Sequence, residues 1–272
     1  MVEVRWLGAA GLELSVDDSV VLIDPYLSRP GKLNVLLGSL TPSSEKVRAY
    51  ISKLDRKVSA VVCSHTHFDH ALDIPCIAKE LRCRVVGSSS LKTLMEISGA
   101  PPGMSVCRGG EVLELDGGIR LHMILSRHGL VFLGRVPYPG EIDPDCEPPL
   151  KALEYRHGTV FMPRIEVGGV SIVHAGSANF IESEMEDQRC DILFMCVPGW
   201  KKVPNYVSRL TGMLKPEVVV PFHFDDFTSR IPASGNIRAM PLADLGGFVG
   251  RVREHAPGTV VLIPNPNEVM RF

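Results

Sequence analysis

Four residues in one short run carry groups that bind metal ions: His65, His67, Asp69 and His70, within Cys63-Ser64-His65-Thr66-His67-Phe68-Asp69-His70. Imidazole nitrogen together with carboxylate oxygen suits zinc, with iron and manganese as alternatives. The residues just before, from Val58 to Val62, are apolar and largely β-branched and read as a short buried strand. In an extended segment, side chains two apart point the same way, so His65, His67 and Asp69 can converge, while His70 falls where the chain turns into a helix. A solvated histidine-rich loop is the plain alternative. Four ligand-type residues at this spacing rarely meet a buried strand end by accident, which weighs against it. Histidines follow two further strand-like runs: His128 after 119–125 and His223 at the end of 218–223. His122 competes with His128 but lies mid-strand, opposite in parity to Leu121 and Met123. His128 sits beyond its strand, as the other candidates do, and is preferred, because ligands must reach one open mouth. His157, His174 and His255 lack motif support, and only His174, at a strand end, could stand behind the ligands. A set like this supports hydrolysis: an ion with an open position lowers the pKa of water and polarises the scissile bond.

The elements that must hold these residues alternate along the chain. Residues 2–6 and 11–16, separated by Gly8 and Gly11, read as two antiparallel strands, and 19–24 as a third ending at Asp24-Pro25. A buried carboxylate there either supports the metal loop or forms a turn, and the first is preferred. An irregular surface loop is expected over 26–40, then a helix opened by Thr41-Pro42 and running to about Leu54. After His70, apolar spacing through Leu81 predicts one helix whose N-terminus lies beside the site and favours negative charge. A strand over 84–87, a helix over 90–98, and hairpins 111–115/119–125 and 159–162/170–174 follow. Then come a strand over 191–197, a helix over 205–214, a strand over 218–223, a helix over 242–255 and a strand over 259–263. No repeat of constant period is visible. This order suits two β-sheets packed face to face with helices outside. Residues 134–150, with five prolines and two glycines, exclude a regular element and predict a lid, a binding loop, an interface arm or a plain surface insertion.

The run His65-x-His67-x-Asp69-His70 resembles the signature of the metallo-β-lactamase-fold superfamily of metal-dependent hydrolases. Trp6-Leu7-Gly8-x-Ala10-Gly11 and Leu22-Ile23-Asp24-Pro25 resemble the opening hairpin of the branch that holds ascorbate-6-phosphate lactonase and the N-acyl phosphatidylethanolamine phospholipase D enzymes. The likeness covers nearly the whole chain. It implies an α+β fold, an αββα sandwich forming a single domain over 1–272 with the proline-rich loop as an insertion. It also implies a first zinc on His65, His67 and His128 and a second on Asp69, His70 and His223, with Asp69 orienting or deprotonating the water that attacks a phosphoester, lactone or amide. The departure is Ser177: many members carry there an aspartate that bridges two metals. A neutral hydroxyl is a poor ligand for a dication, so one ion or two is an open count. Asp225 or Asp226, just after His223, are the candidates to compensate. A non-catalytic metal-binding or ligand-sensing protein on the same fold is the competing expectation.

With 272 residues, 45% of them hydrophobic and 22% charged, the chain can bury a large core. A formal charge of -2 gives no basic footprint, so nucleic acid is not an expected partner. A small-molecule substrate is, and a second copy of the chain is compatible. No apolar stretch approaches the ~20 residues that span a membrane. The opening residues lack the basic and apolar regions of a signal peptide. Seven cysteines without a C-x-x-C pair suit a reducing cytoplasm. Cys63, Cys76, Cys83, Cys190 and Cys196 lie in apolar company and read as small core residues.

Overall fold

Alternating apolar positions in β1 (Glu3–Gly8) and β2 (Gly11–Val16) and a continuous apolar run in β3 (Ser19–Ile23) produce a meander at the start of the chain. The computed structural model describes residues 1–231, 237–240 and 243–272. Gly8, at φ +85, makes the tight turn between β1 and β2. The chain then crosses through α1 (Lys32–Leu37) and α2 (Ser44–Ile51) to β4 (Lys57–Val62), parallel to β3. α1 lies inside the stretch expected to be irregular and has no buried residue. α2 starts later than Thr41-Pro42 predicted. The Ser43 hydroxyl accepts from Lys46 N, and Ser43's own N–H donates to Ser28 Oγ at 2.6 Å, which pins the chain before the helix begins.

Past β4, the single helix expected after His70 is two: α3 (Phe68–Ala71) and α4 (Ile74–Leu81). Pro75 has no N–H to give to a continuous helix. The buried Asp73 carboxylate accepts from Leu27 N and Ser28 N, which ties the break to the loop after β3. Next come β5 (Arg84–Gly87), α5 (Ser89–Ile97, capped by Ser88), the two-residue β6 (Ser105–Val106) and the hairpin β7 (Glu111–Leu115) and β8 (Ile119–Leu125). β9 (Phe161–Val167) and β10 (Val170–Ala175) form a second hairpin, with β9 longer than its apolar run implied. β11 (Ile192–Cys196), α6 (Tyr206–Leu214), β12 (Val218–Phe222), α7 (Leu245–His255), β13 (Val260–Val261) and β14 (Val269–Arg271) complete the chain. The predicted start of the last helix at Leu242 lies outside the described residues.

The strands form two seven-stranded sheets, ordered β14-β1-β2-β3-β4-β5-β6 and β13-β12-β11-β10-β9-β8-β7. Each is antiparallel over four strands and parallel over the rest, with the switch at β3/β4 in one and at β10/β11 in the other. The period-two pattern decides what lies where. Val21 and Ile23 of β3 join Trp6, Leu12, Leu14, Leu121, Met123, Phe161 and Ile165 in the core between the sheets. Val20 and Leu22, facing the other way, pack with Val61, Leu72, Ile77 and Leu91 under α4 and α5. Tyr206, Leu210, Phe248 and Val252 cover the second sheet in the same manner. The result is helix, sheet, sheet, helix, as the element order implied. Truncating a leucine in such a core costs about 2–5 kcal/mol. Among the described residues no helix is long and apolar enough to cross a membrane.

Candidate metal centre

One rim of the sandwich collects the loops that follow β3, β4, β8, β10 and β12. His65, His67 and His128 each bring a ligand atom to a cluster in which these atoms lie within 4.8 Å of one another, and Asp69, His70 and His223 do the same in a second cluster. The rings of His65 and His70, 3.8 Å apart between centroids, join the two. The sequence-selected histidines and Asp69 therefore come together as two groups of three. His122 stays in β8, paired opposite Val112, and belongs to neither.

Hydrogen bonds made by the opposite ring atoms leave one nitrogen on most of these histidines without a partner. His67 Nε2 meets the carbonyl of Pro137 at 3.0 Å, and a carbonyl only accepts, so Nε2 carries the proton and Nδ1 keeps its lone pair. His128 Nδ1 donates to the Gly129 carbonyl at 2.8 Å, which leaves Nε2. His65 Nε2 is buried with no partner among the described residues. His70 Nδ1 donates to Asp24 Oδ2 at 2.7 Å, and its Nε2 faces Asp69 Oδ2 at 3.8 Å. His223 Nε2 lies 3.2 Å from the same Asp69 oxygen. Buried lone pairs converging without a donor between them are costly unless a cation fills the gap. Three imidazoles, and two imidazoles with a carboxylate, are donor sets that fit zinc or iron, so the residues fit a metal at each cluster.

The electrostatics agree with that role. Burial holds His65 and His128 well below the usual histidine range, with repulsion from neighbouring histidines adding to it. Burial also lowers His67 to about 4, against a smaller opposing pull from Asp69. These three rings are neutral near neutral pH, as metal ligands must be. Burial works against charge on Asp69 and His70 too, but each is outweighed. His70 and His223 keep Asp69 below the ordinary carboxylate range, and Asp24 and Asp69 push His70 up.

Behind the clusters, Asp24 settles between its two expected roles. It is fully buried at φ +46, with Oδ1 accepting from Ser64 N at 2.7 Å and Oδ2 from Ser64 Oγ at 2.5 Å as well as from His70. His174 stands on its far side, Nε2 on the Ala10 carbonyl at 2.8 Å and 3.8 Å from Asp24 Oδ2. Gly176 is required there, since a Cβ would come within 2.8 Å of the His174 ring and 3.0 Å of Ser64 Oγ.

Ser177 has a different task from a bridge. Its Oγ accepts from Gly129 N at 2.8 Å, and Asn179 Nδ2 donates to the His128 carbonyl at 3.1 Å, so this segment seats the loop that presents His128. Neither suggested substitute is available. Asp225 accepts from Ala9 N at 2.8 Å and pairs with Arg29 Nη2 at 2.5 Å, while Asp226 accepts from Thr228 and Ser229 in its own turn. The four-residue α3, opening at Phe68 inside the cluster, replaces the long helix expected to aim its N-terminus at the site.

His157 is the neighbour that sequence reasoning missed. Its ring lies nearly parallel to that of His128 and edge-on to His67, 5.9 Å from each. It arrives through the proline-rich loop: His157 N donates to the Tyr138 carbonyl at 3.1 Å, Gly158 N to that of Gly140 at 2.9 Å, and Thr66 N to the His157 carbonyl at 3.0 Å. That loop thus borders the cleft, with Pro137 on His67 and Ile142 and Leu150 buried.

A sandwich of two mixed sheets with metal-ligand clusters on one rim defines a class, and the comparisons agree. Residues 3–223 match the family described as "Beta-lactamase superfamily domain", and the chain belongs to that family. A UPF0173 metal-dependent hydrolase of Anaeromyxobacter dehalogenans is 24% identical over 248 residues, 87% of this chain and 80% of its own length. Igni18, a metallo hydrolase from Ignicoccus hospitalis, superposes with a TM-score of 0.65 at 20% identity, covering 100% of this chain and 99% of its own. CmlA, a diiron β-hydroxylase from Streptomyces venezuelae, gives 0.63 at 12% identity over 100% of this chain and 54% of its own. The last two likenesses speak for the fold alone.

Proposed function

We propose that the chain is a metal-dependent hydrolase of a small molecule carrying a phosphoester, lactone or amide-type bond. The observation that carries this reading is the convergence of two three-residue clusters on one rim, with the proton-free ring nitrogens of His65, His67 and His128 facing inward in the first. The name of the Anaeromyxobacter relative supports it. His65, His67 and His128 would hold one ion and Asp69, His70 and His223 a second; zinc is the first choice, with manganese or iron as alternatives. When bound, the metal supplies a Lewis acid and a water of lowered pKa. The chain's own residues do the rest. Asp24 and the Pro137 carbonyl fix the ring orientation of His70 and His67. Asp69, held anionic by His70 and His223, would accept a hydrogen bond from the attacking water and orient or deprotonate it, and its lowered pKa favours the orienting role. His157 and Tyr138 line the approach. Seven free cysteines support a reducing compartment such as the cytoplasm.

The engagement of Ser177 with Gly129 N favours keeping a second reading in view, a ligand-sensing protein that holds one ion and does not turn over. Elemental analysis of the purified protein, paired with phosphodiester, phosphomonoester, lactone and amide reporters under zinc, manganese and iron, separates the two. Turnover that His65→Ala abolishes supports hydrolysis. A ligand bound tightly, with neither it nor its analogues turned over, sinks it.

A further inference from the structure

The loop after β3, α2 and the segment at Arg230 border an open pocket of about 250 Å³ whose lining includes three cations, Arg29, Lys46 and Arg230. We propose that this pocket binds a phosphate group, free or as part of a phosphomonoester. Nothing in this proposal rests on the hydrolytic reading above.

Arg29 anchors the argument. It is only 7% exposed. Nε donates to the Ser229 carbonyl at 2.7 Å and Nη2 to Asp225 and the Asp226 carbonyl, which fixes the guanidinium plane. Nη1 is buried and has no hydrogen-bond partner among the described residues. An unpaired guanidinium donor in the interior is costly, and an oxyanion supplies the missing acceptor with the right geometry. Gly8 makes room for the guanidinium itself, since a Cβ there would come within 2.5 Å of Nη1.

A second observation is independent of Arg29. Lys46 Nζ donates to the Ser28 carbonyl, not to a carboxylate, and among the described residues neither Lys46 nor Arg230 forms an ion pair. Asp225 balances one charge of the three. Burial, and after it repulsion from Arg230, pushes the Lys46 ammonium below its usual value, against a smaller opposing pull from Asp73. Tyr26, on the pocket wall, adds a buried hydroxyl with no partner. Two cations without an ion pair among the described residues and a guanidinium donor without a partner match a dianion better than a carboxylate, which brings one charge and two oxygens.

The test is calorimetric titration of the full-length protein with inorganic phosphate, with acetate as the comparison anion. Wild type should bind phosphate saturably at roughly 1 mM or tighter. Lys46→Met and Arg230→Ala should each weaken it at least about tenfold, with unchanged melting temperature and metal content. Arg230 is exposed, so its variant folds even if Lys46→Met does not. Absence of saturable binding overturns the proposal. Wild-type affinity in both variants also overturns it, because the anion would then sit at the metal clusters. Acetate binding as tightly as phosphate overturns the assignment of ligand class.

Discussion

Asp24→Asn changes one atom type in a site with no spare acceptor, and its consequence can be followed proton by proton. The two carboxylate oxygens each face a donor, Oδ1 the Ser64 N–H at 2.7 Å and Oδ2 the His70 Nδ1–H at 2.7 Å, with Ser64 Oγ also on Oδ2. An asparagine amide has one oxygen and one NH2, so one donor must meet another donor. A peptide N–H cannot change. The imidazole can: His70 moves its proton to Nε2 and accepts from the new amide through Nδ1. The nitrogen that faces Asp69 then carries a proton and cannot bind a cation, unless the amide turns over and leaves Ser64 N unpaired. Losing a hydrogen-bonded carboxylate behind a metal-ligating histidine costs about 10–100-fold in metal affinity, or about 1.4–2.8 kcal/mol. The loss should fall on the Asp69, His70, His223 cluster and spare the other. Calorimetric zinc titration of metal-free protein, with elemental analysis for stoichiometry, reads both. Wild-type affinity at every site in the variant would refute the tautomer argument, and equal weakening of all binding would show that Asp24 acts on the whole rim.

Three further outcomes are expected. His67→Ala should remove metal and activity together while circular dichroism stays native, because the two sheets share a large core that does not depend on the rim; wild-type metal content in this variant would refute the ligand set. Ser177→Asp should raise occupancy of the second cluster, since a carboxylate can keep the bond to Gly129 N and adds a unit charge worth about 4 kcal/mol at ~4 Å and an effective dielectric of ~20; calorimetry showing two tight ions already in wild type would refute it. Metal-free protein should lose stability in acid. His67 has its folded pKa lowered to about 4 from 6.5, so its contribution is whole above pH 6.5 and is lost as pH falls toward 4, by roughly 3 kcal/mol; urea melts between pH 7 and pH 4 measure it, and a flat profile counts against it.

The parts of this molecule that were legible in the sequence are those whose signal is local. The β-branched run of β4, the alternation of β1 and β2 and the apolar run of β3 declared themselves, and the histidines at strand ends followed from them. Elements that depend on distant partners did not. α1 presents Leu33, Leu36 and Leu37 to solvent, so no amphipathic pattern marks it. β14 is three residues paired with β1, with Met270 in the core, and is too short to show a pattern of its own. The break between α3 and α4 has a local cause in Pro75 and a distant one in Asp73 meeting the loop after β3, and the second is a contact that spacing cannot announce. His157 was hidden for the same reason, since it reaches His128 only because the proline-rich loop folds back through Tyr138 and Gly140. Asp225 looked like a spare carboxylate near His223 until its partners, Ala9 and Arg29, were seen.

The two sheets run in the same sequence of directions, and the rim groups are shared unevenly between them. His65, His67, Asp69 and His70 follow β4 of the first sheet, while His128 and His223 follow β8 and β12 of the second. Each cluster therefore draws two side chains from the half of the sandwich built on the first sheet and one from the half built on the second. Neither half owns a complete binding set, so the rim works as a double clasp across the seam. Anything that slides one sheet along the other by a single residue step, ~3.3 Å, opens both fastenings at once.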